Sequence, residues 1–428
     1  MSERQVTSRR HFLKQATACG FLLGGAGLAA SPAWRLAAEL FGPAAARAAA
    51  DGIPLADLLA TAPVARYWTS TAEPLASCTT CHEPADLARR GVPSPAPGAR
   101  HAHQALHARC LLCARGCVLA AGERGECGAR IFHEGEMRSL VYGRPVAVHV
   151  DPIEKKPFYH FLPGAIAYSL STAGCPLHCQ FCQNWELSQA RPEDHRVPYV
   201  PPARVAAAAV ERKAPLIAFT YNEPTVFTEY LVDIARAARV HGLRSVLVSC
   251  GFMNAAPLSE MCEVLAAVKI DLKGMSPEFY RRVSRADLAP VLESIKAVAR
   301  SGRHLEIVNL VVPTLNDAEP MLKGLADWVV GELGPDVPVH FTRFHPDYKL
   351  LNLPPTPVAT LELAHAIARD RGIRYAYVGN VPGHPANNTY CPRCGEIVVG
   401  RQGFFVTEVK LSEGKCAACG TTIAGIWT

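Results

Sequence analysis

The sequence predicts an α/β fold built on a parallel sheet, and three observations predict it. From Ile166 onward, short runs rich in β-branched residues alternate with segments whose apolar residues recur three and four apart. About six such units follow one another, and strand–helix alternation of that kind builds parallel sheets. The 428 residues, 49% hydrophobic and 19% charged, have an ordinary globular composition that argues against disorder and leaves room for one large domain with appendages or for two to three domains.

The strands are expected at 166–172, 215–221, 245–250, 268–272, 305–312 and 338–344, with helices between them at 226–240, 288–301 and 357–371. Curled as a partial barrel, such a sheet carries its active face on the loops after the strands. Pattern alone equally admits a doubly wound open sheet. A proline-rich stretch at 93–98 reads as a linker or loop. The expected division is 1–50 leader, 51–165 cysteine-rich segment, 166–384 core and 385–428 cysteine-bearing tail. Both cysteine-bearing parts are too small for a large core and look metal-stapled.

Formal net charge is +6, but residues 1–50 hold six of the 44 Lys and Arg and two of the 38 Asp and Glu. The remainder stands at 38 minus 36, or +2, so nothing argues for a nucleic-acid partner. The leader reads Ser8-Arg-Arg-His-Phe-Leu-Lys14 before an apolar Gly/Ala-rich stretch, and it resembles a twin-arginine export signal. The small residues Ala48, Ala49 and Ala50 place a cleavage site before Asp51. The stretch is shorter than the roughly 20 apolar residues of a membrane span, so the membrane is met only during export. The expected location is periplasmic, with cytoplasmic as the alternative.

Of fifteen cysteines beyond the leader, thirteen fall in or beside tight C-x2-C or C-x3-C groups, which is metal spacing rather than a disulfide framework. Cys250 and Cys262 stand alone and read as buried inert thiols. Cys175, Cys179 and Cys182 follow the first core strand at C-x3-C-x2-C spacing with no fourth cysteine close behind. Three thiolates leave one iron of a cubane open, whereas clusters kept for electron transfer normally take four. A three-thiolate zinc or structural cluster site is the plain alternative.

The second strand ends in Thr220-Tyr-Asn-Glu-Pro-Thr225, which sets the Glu223 carboxylate at a strand terminus, although Glu-Pro can also simply start a helix. In Val268-Lys-Ile-Asp-Leu-Lys-Gly274, Asp271 and Lys273 lie two apart and face one side of the strand. Charges facing inward need a ligand or a partner, either each other or Glu223. Asn309 and His345 close the fifth and sixth strands; the ordinary reading of such a histidine is a satisfied polar residue.

Cys391-Pro-Arg-Cys394 and Cys416-Ala-Ala-Cys419, each followed by Gly and separated by 21 residues, form the spacing of a zinc ribbon, with a cluster or a disulfide pair as alternatives. Cys110, Cys113, Cys117 and Cys127 make another four-thiolate group. Zinc is the first reading there and an auxiliary [4Fe–4S] cluster the second, since both accept four thiolates. Cys78-Thr-Thr-Cys81-His82 matches the c-type haem attachment pattern, with His101, His103, His107 or Met137 as axial ligands; another metal site or no ligand role are the alternatives.

The Cys175 spacing, with Phe181 before the last cysteine, resembles the signature of radical S-adenosylmethionine (SAM) enzymes. The resemblance implies a partial (β/α)6 barrel and a [4Fe–4S] cluster whose open iron chelates SAM. One electron then cleaves SAM to a 5′-deoxyadenosyl radical that abstracts a substrate hydrogen. Asn222, Glu223 and Pro224 match the motif that holds the SAM ammonium, and Asp271 with Lys273 resembles the Asp-x-Lys of glycyl-radical activating enzymes. By the same resemblance Asn309 would contact the adenosine and His345 SAM or substrate.

Longer strings, among them Tyr142-Gly-Arg-Pro145, Asp151-Pro-Ile-Glu-Lys-Lys-Pro157, Cys182-Gln-Asn-Trp-Glu186, Arg343-Phe-His-Pro-Asp347 and Asn388-Thr-Tyr-Cys-Pro392, resemble the radical SAM member of the AmmeMemoRadiSam system, related to pyruvate formate-lyase activating enzymes. The resemblance runs from about Arg109 to the C-terminus. It implies an unidentified substrate, a Memo-like protein partner or protein substrate, and a cytoplasmic-type one-electron donor. The chain departs from that pattern at Cys250, where Asn is expected, and in its leader. The leader motivates the alternative function, an exported iron–sulfur or haem electron carrier on the same fold without SAM cleavage.

Overall fold

The computed structural model describes residues 52–70 and 107–428. The leader with Arg9 and Arg10, and Cys78, Cys81 and His82 with His101 and His103, lie outside the described residues.

Eight strands form one sheet in sequential order: β1 (Ala147–Pro152), β2 (Ile166–Ser171), β3 (Leu216–Phe219), β4 (Arg244–Ser249), β5 (Ala267–Asp271), β6 (His304–Val311), β7 (Val339–Arg343) and β8 (Ala376–Gly379). β1 runs antiparallel to β2, and every later pairing is parallel. The order never reverses, so the sheet is singly wound and lacks the switch point of a doubly wound fold.

Each of β2 to β7 is followed by a helix: Pro202–Glu211, Thr228–Val240, Ala255–Val264, Leu288–Arg300, Glu319–Leu333 and Val358–Asp370. Burial explains why these segments read as they do. β3 is a run of four buried apolar residues, as a parallel strand covered on both faces must be. Leu288, Val291, Ile295 and Val298 recur on the buried side of their helix at 3.6-residue periodicity.

β1 and β8 are the two strands beyond the six expected. β1 is an edge strand with His149 and Val150 exposed, so its composition is too mixed to read as core. It pairs with β2 through Pro152 and Ile166, so the core sheet begins well before residue 166.

A small N-terminal unit packs on this core. Its strands Trp68–Ser70, His107–Cys110 and Val118–Ala120 form an antiparallel sheet, and Arg130–His133 with Glu136–Ser139 forms a hairpin. The unit's apolar cluster of Ala108, Leu112, Leu119, Phe132 and Met137 is modest. Met137 is fully buried in that cluster, so packing accounts for it. Buried Arg130 pairs with Glu229 and donates to Arg66 O at 2.6 Å, which ties the unit to helix Thr228–Val240.

The C-terminal tail joins the opposite ends of the strands through a buried polar network. Glu306 on β6 accepts from the backbone N–H groups of Tyr159 and His160 at 2.9 and 2.8 Å and pairs with His304 and His340 at 3.0 and 2.6 Å. The two histidines hold Glu306 far below the usual carboxylate range, although burial alone would raise it. Arg401 of the tail donates to Tyr159 O and Thr389 Oγ1 and lies 3.8 Å from buried Glu154. A buried network of this kind, centred on Glu306 and Arg401, fixes how the tail seats on the core. Among the described residues no helix is long and apolar enough to cross a membrane.

Candidate functional site

β2 delivers the chain to its carboxyl end, where the loop carrying Cys175, Cys179 and Cys182 begins. Gly174 starts that loop at φ +94°, and a side chain there would collide with the carbonyl of Cys127, so glycine is required both by backbone and by space. The loop is pinned from several directions. His178 N and Gln180 N donate to Ser284 O and Val283 O at 3.1 and 2.9 Å, and Leu177 N donates to Cys175 Sγ at 3.4 Å. Burial pushes all three thiols up, Cys182 to about 11, and the neighbouring Glu223 carboxylate raises Cys175 further. These thiols therefore keep their protons until a metal displaces them.

Glu223 follows β3 and is almost wholly buried. Its Oε1 accepts from Thr225 N, Thr225 Oγ1 and Ser249 Oγ at 3.1, 2.6 and 2.8 Å, and its Oε2 accepts from Cys250 N at 2.6 Å. Pro224 begins a short 3₁₀ turn, Pro224–Phe227, so the motif is both a helix start and a carboxylate clamp. Asn222 donates to Gly174 O at 2.8 Å, which fastens the end of β3 to the cysteine loop.

Tyr221 sits at φ +73°, a costly conformation for a bulky residue. The conformation is held by partners: its hydroxyl donates to Asp151 Oδ2 at 2.7 Å, the same atom that Lys156 Nζ reaches at 2.7 Å, while Asn184 Nδ2 donates to Tyr221 O at 2.8 Å. The Asp151-Pro-Ile-Glu-Lys-Lys-Pro157 string thus has a physical role. Asp151 and Lys156 brace the residue before Asn222, while Glu154 meets Arg401 of the tail.

At the end of β5, Asp271 and Lys273 form the internal pair that their spacing allowed, Nζ to Oδ2 at 3.4 Å, and Lys269 also pairs with Asp271. Burial alone would raise Asp271, but Lys269 and then Lys273 outweigh it and hold its carboxyl low. Burial alone would lower Lys273, but the Asp271 carboxylate outweighs it and holds it charged. Lys273 Nζ also lies over the Phe181 ring at 5.5 Å. Asn309 on β6 donates to Leu272 O at 2.8 Å. His345 lies on the exposed part of the loop after β7.

Cys250 and Cys262 are both buried, as isolated thiols were expected to be, but Cys250 belongs to this site through its backbone bond to Glu223. Asp151, Lys156, Ser249, Cys250 and Lys269 are the site residues that reading the sequence missed. Lys269 carried a local signal, standing two before Asp271 on the same face, while Asp151 and Lys156 lay in a family-like string and Cys250 marked a departure from the family pattern.

The donor set fits an iron–sulfur cluster with a polar ligand beside it. Three thiols share one loop, and the Oδ1 atoms of Asn222 and Asn309 are buried without a hydrogen-bond partner. Buried acceptors are rarely left unsatisfied, so two at one end of a sheet are chemically informative.

The described residues hold two other thiol groups. Cys391, Cys394, Cys416 and Cys419 bring their sulfurs within 4.8 Å of one another, close enough to hold one metal ion. Cys110, Cys113, Cys117 and Cys127 lie in the N-terminal unit, with Cys113 bridged to Met253 just beyond β4. All thirteen cysteines among the described residues are free of disulfides.

The sequence pattern of the Radical SAM superfamily matches residues 169–323, the stretch that holds the cysteine loop, Glu223 and Asp271. The chain is 40% identical over 319 residues to an uncharacterized protein of Methanocaldococcus jannaschii, a match spanning 74% of this chain and 94% of that one. It is 23% identical over 176 residues to the pyruvate formate-lyase-activating enzyme of Streptococcus mutans, spanning 39% of this chain and 66% of the relative. A solved radical SAM methyltransferase from Sphaerobacter thermophilus aligns at 17% identity and a TM-score of 0.41, covering 52% of this chain and 67% of that one. The chain belongs to the radical SAM superfamily, in one family with the Methanocaldococcus jannaschii protein and with homologues among pyruvate formate-lyase-activating enzymes.

Proposed function

We propose that this protein is a SAM-cleaving radical enzyme that takes a hydrogen atom from a substrate still to be identified, a protein substrate among the candidates. The observation that carries the reading is the junction of Cys175, Cys179 and Cys182 with Asn222 and Glu223, held together by the bond from Asn222 to Gly174 O. Cys175, Cys179 and Cys182 would hold a [4Fe–4S] cluster, which would supply the single electron needed to break the SAM sulfonium. Asn222 and Asn309 offer their unpartnered oxygens to the donors of SAM, and Glu223, clamped by four protein donors, fixes the end of β3 against it. Asp271 with Lys269 and Lys273 presents charges of both signs to the charged ligand, and His345 on its exposed loop meets SAM or substrate. The six strand–helix units suit the partial (β/α)6 barrel.

Zinc suits the tail, because Zn–S bonds of about 2.3 Å in a tetrahedron put sulfurs about 3.8 Å apart. Cys391 and Cys419 stand at 3.6 Å, and Cys394 and Cys416 at 3.7 Å. The paired arginines of the leader support export of the folded protein, with a one-electron donor and a Memo-like partner completing the reading.

The test is electron paramagnetic resonance of the anaerobically reconstituted, dithionite-reduced protein. SAM is expected to shift the spectrum of one cluster, and that shift is expected to vanish in Cys179→Ala. A reduced cluster indifferent to saturating SAM contradicts the proposal.

A further inference from the structure

Cys110, Cys113, Cys117 and Cys127 converge in the N-terminal unit, and their arrangement differs from that of the tail's four thiols. In the tail, two matching turns each carry a pair: Gly395 N bonds to Cys391 O at 3.0 Å and Gly420 N to Cys416 O at 2.8 Å, so both Cys-x-x-Cys-Gly segments fold alike. The four sulfurs then all lie within 4.8 Å of one another. In the N-terminal unit Cys110 ends a strand and its N–H bonds to Cys117 O at 2.8 Å, while Gly116 N bonds to Cys113 O at 3.2 Å. Cys127 arrives separately, ten residues after Cys117, and a side chain on Gly125 would touch both the Cys127 and Cys117 sulfurs, at 3.7 and 3.9 Å.

Separation discriminates between the metals. A single zinc ion draws four sulfurs to about 3.8 Å, whereas a cubane, whose irons occupy the corners of a larger tetrahedron, spreads them to roughly 6 Å. Among the described residues the tail is the set whose ligand atoms all fall within 4.8 Å of one another. Among the described residues neither the N-terminal four nor Cys175, Cys179 and Cys182 form such a set.

We infer that Cys110, Cys113, Cys117 and Cys127 hold a second [4Fe–4S] cluster rather than the zinc that spacing favoured. The site is built for such a centre. Arg130 Nη1 donates to Cys110 Sγ at 3.7 Å and Glu126 N to Cys117 Sγ at 3.5 Å, hydrogen bonds of the kind that tune a cluster's potential. It also abuts the first site: Cys127 O packs on Gly174, and Arg115 Nη2 donates to Pro176 O at 2.6 Å on either side of Cys175.

The experiment removes the first site and asks what iron remains. The full chain carrying Cys175→Ala, Cys179→Ala and Cys182→Ala is reconstituted anaerobically with iron and sulfide, and iron, sulfide and zinc are counted. About four irons and about four sulfides per chain are expected, beside one zinc, and all of that iron is lost when Cys113→Ser and Cys127→Ser are added. Two zincs per chain with no sulfide overturn the inference, as does one zinc with no second metal. If the triple variant is insoluble, the native chain decides: about eight irons support two clusters, and about four irons with two zincs overturn the second. Because these readings are iron counts, they stand apart from whether the first cluster cleaves SAM.

Discussion

Glu223 Oε2 accepts the backbone N–H of Cys250 at 2.6 Å, joining the ends of two neighbouring parallel strands through a carboxylate. With three more donors on Oε1, Glu223 keeps at most one lone-pair position for a ligand. Cys250 contributes its backbone to this bond, so the departure from Asn at that position leaves the clamp intact.

Glu223→Gln is therefore expected to destabilise the protein. An amide offers one acceptor atom where the carboxylate offered two, so at least one buried donor loses its partner, at a cost of about 1–3 kcal/mol. The denaturant midpoint of the metal-loaded protein reads the loss. An unchanged midpoint would show that Glu223 is not a structural clamp.

Asp271 balances two lysines, of which Lys269 is 4% and Lys273 12% exposed at the side chain. Asp271→Asn leaves both without an anion and is expected to cost about 3 kcal/mol, toward the low end of buried-pair losses because Asp271 itself is partly exposed. Adding Lys269→Met should recover part of the loss, which a double-mutant cycle measures. Additive losses would contradict the pairing.

His160 is fully buried between Ala424 O and Tyr377 Oη, and burial pulls its pKa from 6.5 down to about 3. The unfolded chain then binds a proton that the folded chain refuses. This contribution is complete above about pH 6.5 and is lost progressively as pH falls toward 3. Stability measured from pH 7 to pH 5 should fall more steeply in the native chain than in His160→Gln, and parallel slopes would refute the assignment.

Cys391→Ser should remove the zinc of the tail and lower the melting temperature while leaving iron content unchanged, as atomic absorption and thermal unfolding would show. Loss of iron in that variant would mean the tail carries a cluster.

Much of this was legible before any coordinate. β3 announces itself because a parallel strand covered on both faces must be an apolar run. The edge strand β1 did not, since it carries His149 and Asp151 for contacts elsewhere. The cysteine loop, Glu223 and Asp271 were readable from spacing and position. The brace from Asp151 to Tyr221 was not, because it joins residues 70 apart through side chains. Cysteine spacing also hides sulfur separation, which is why zinc and a cubane looked alike at Cys110, Cys113, Cys117 and Cys127.

The most direct measurement of the central claim is the yield of 5′-deoxyadenosine when the anaerobically reconstituted protein is reduced with dithionite in the presence of SAM. The native chain should release it, and Cys179→Ala should release none, since two thiolates do not retain the cubane. A native protein with a full, reduced cluster that leaves SAM intact would contradict the account.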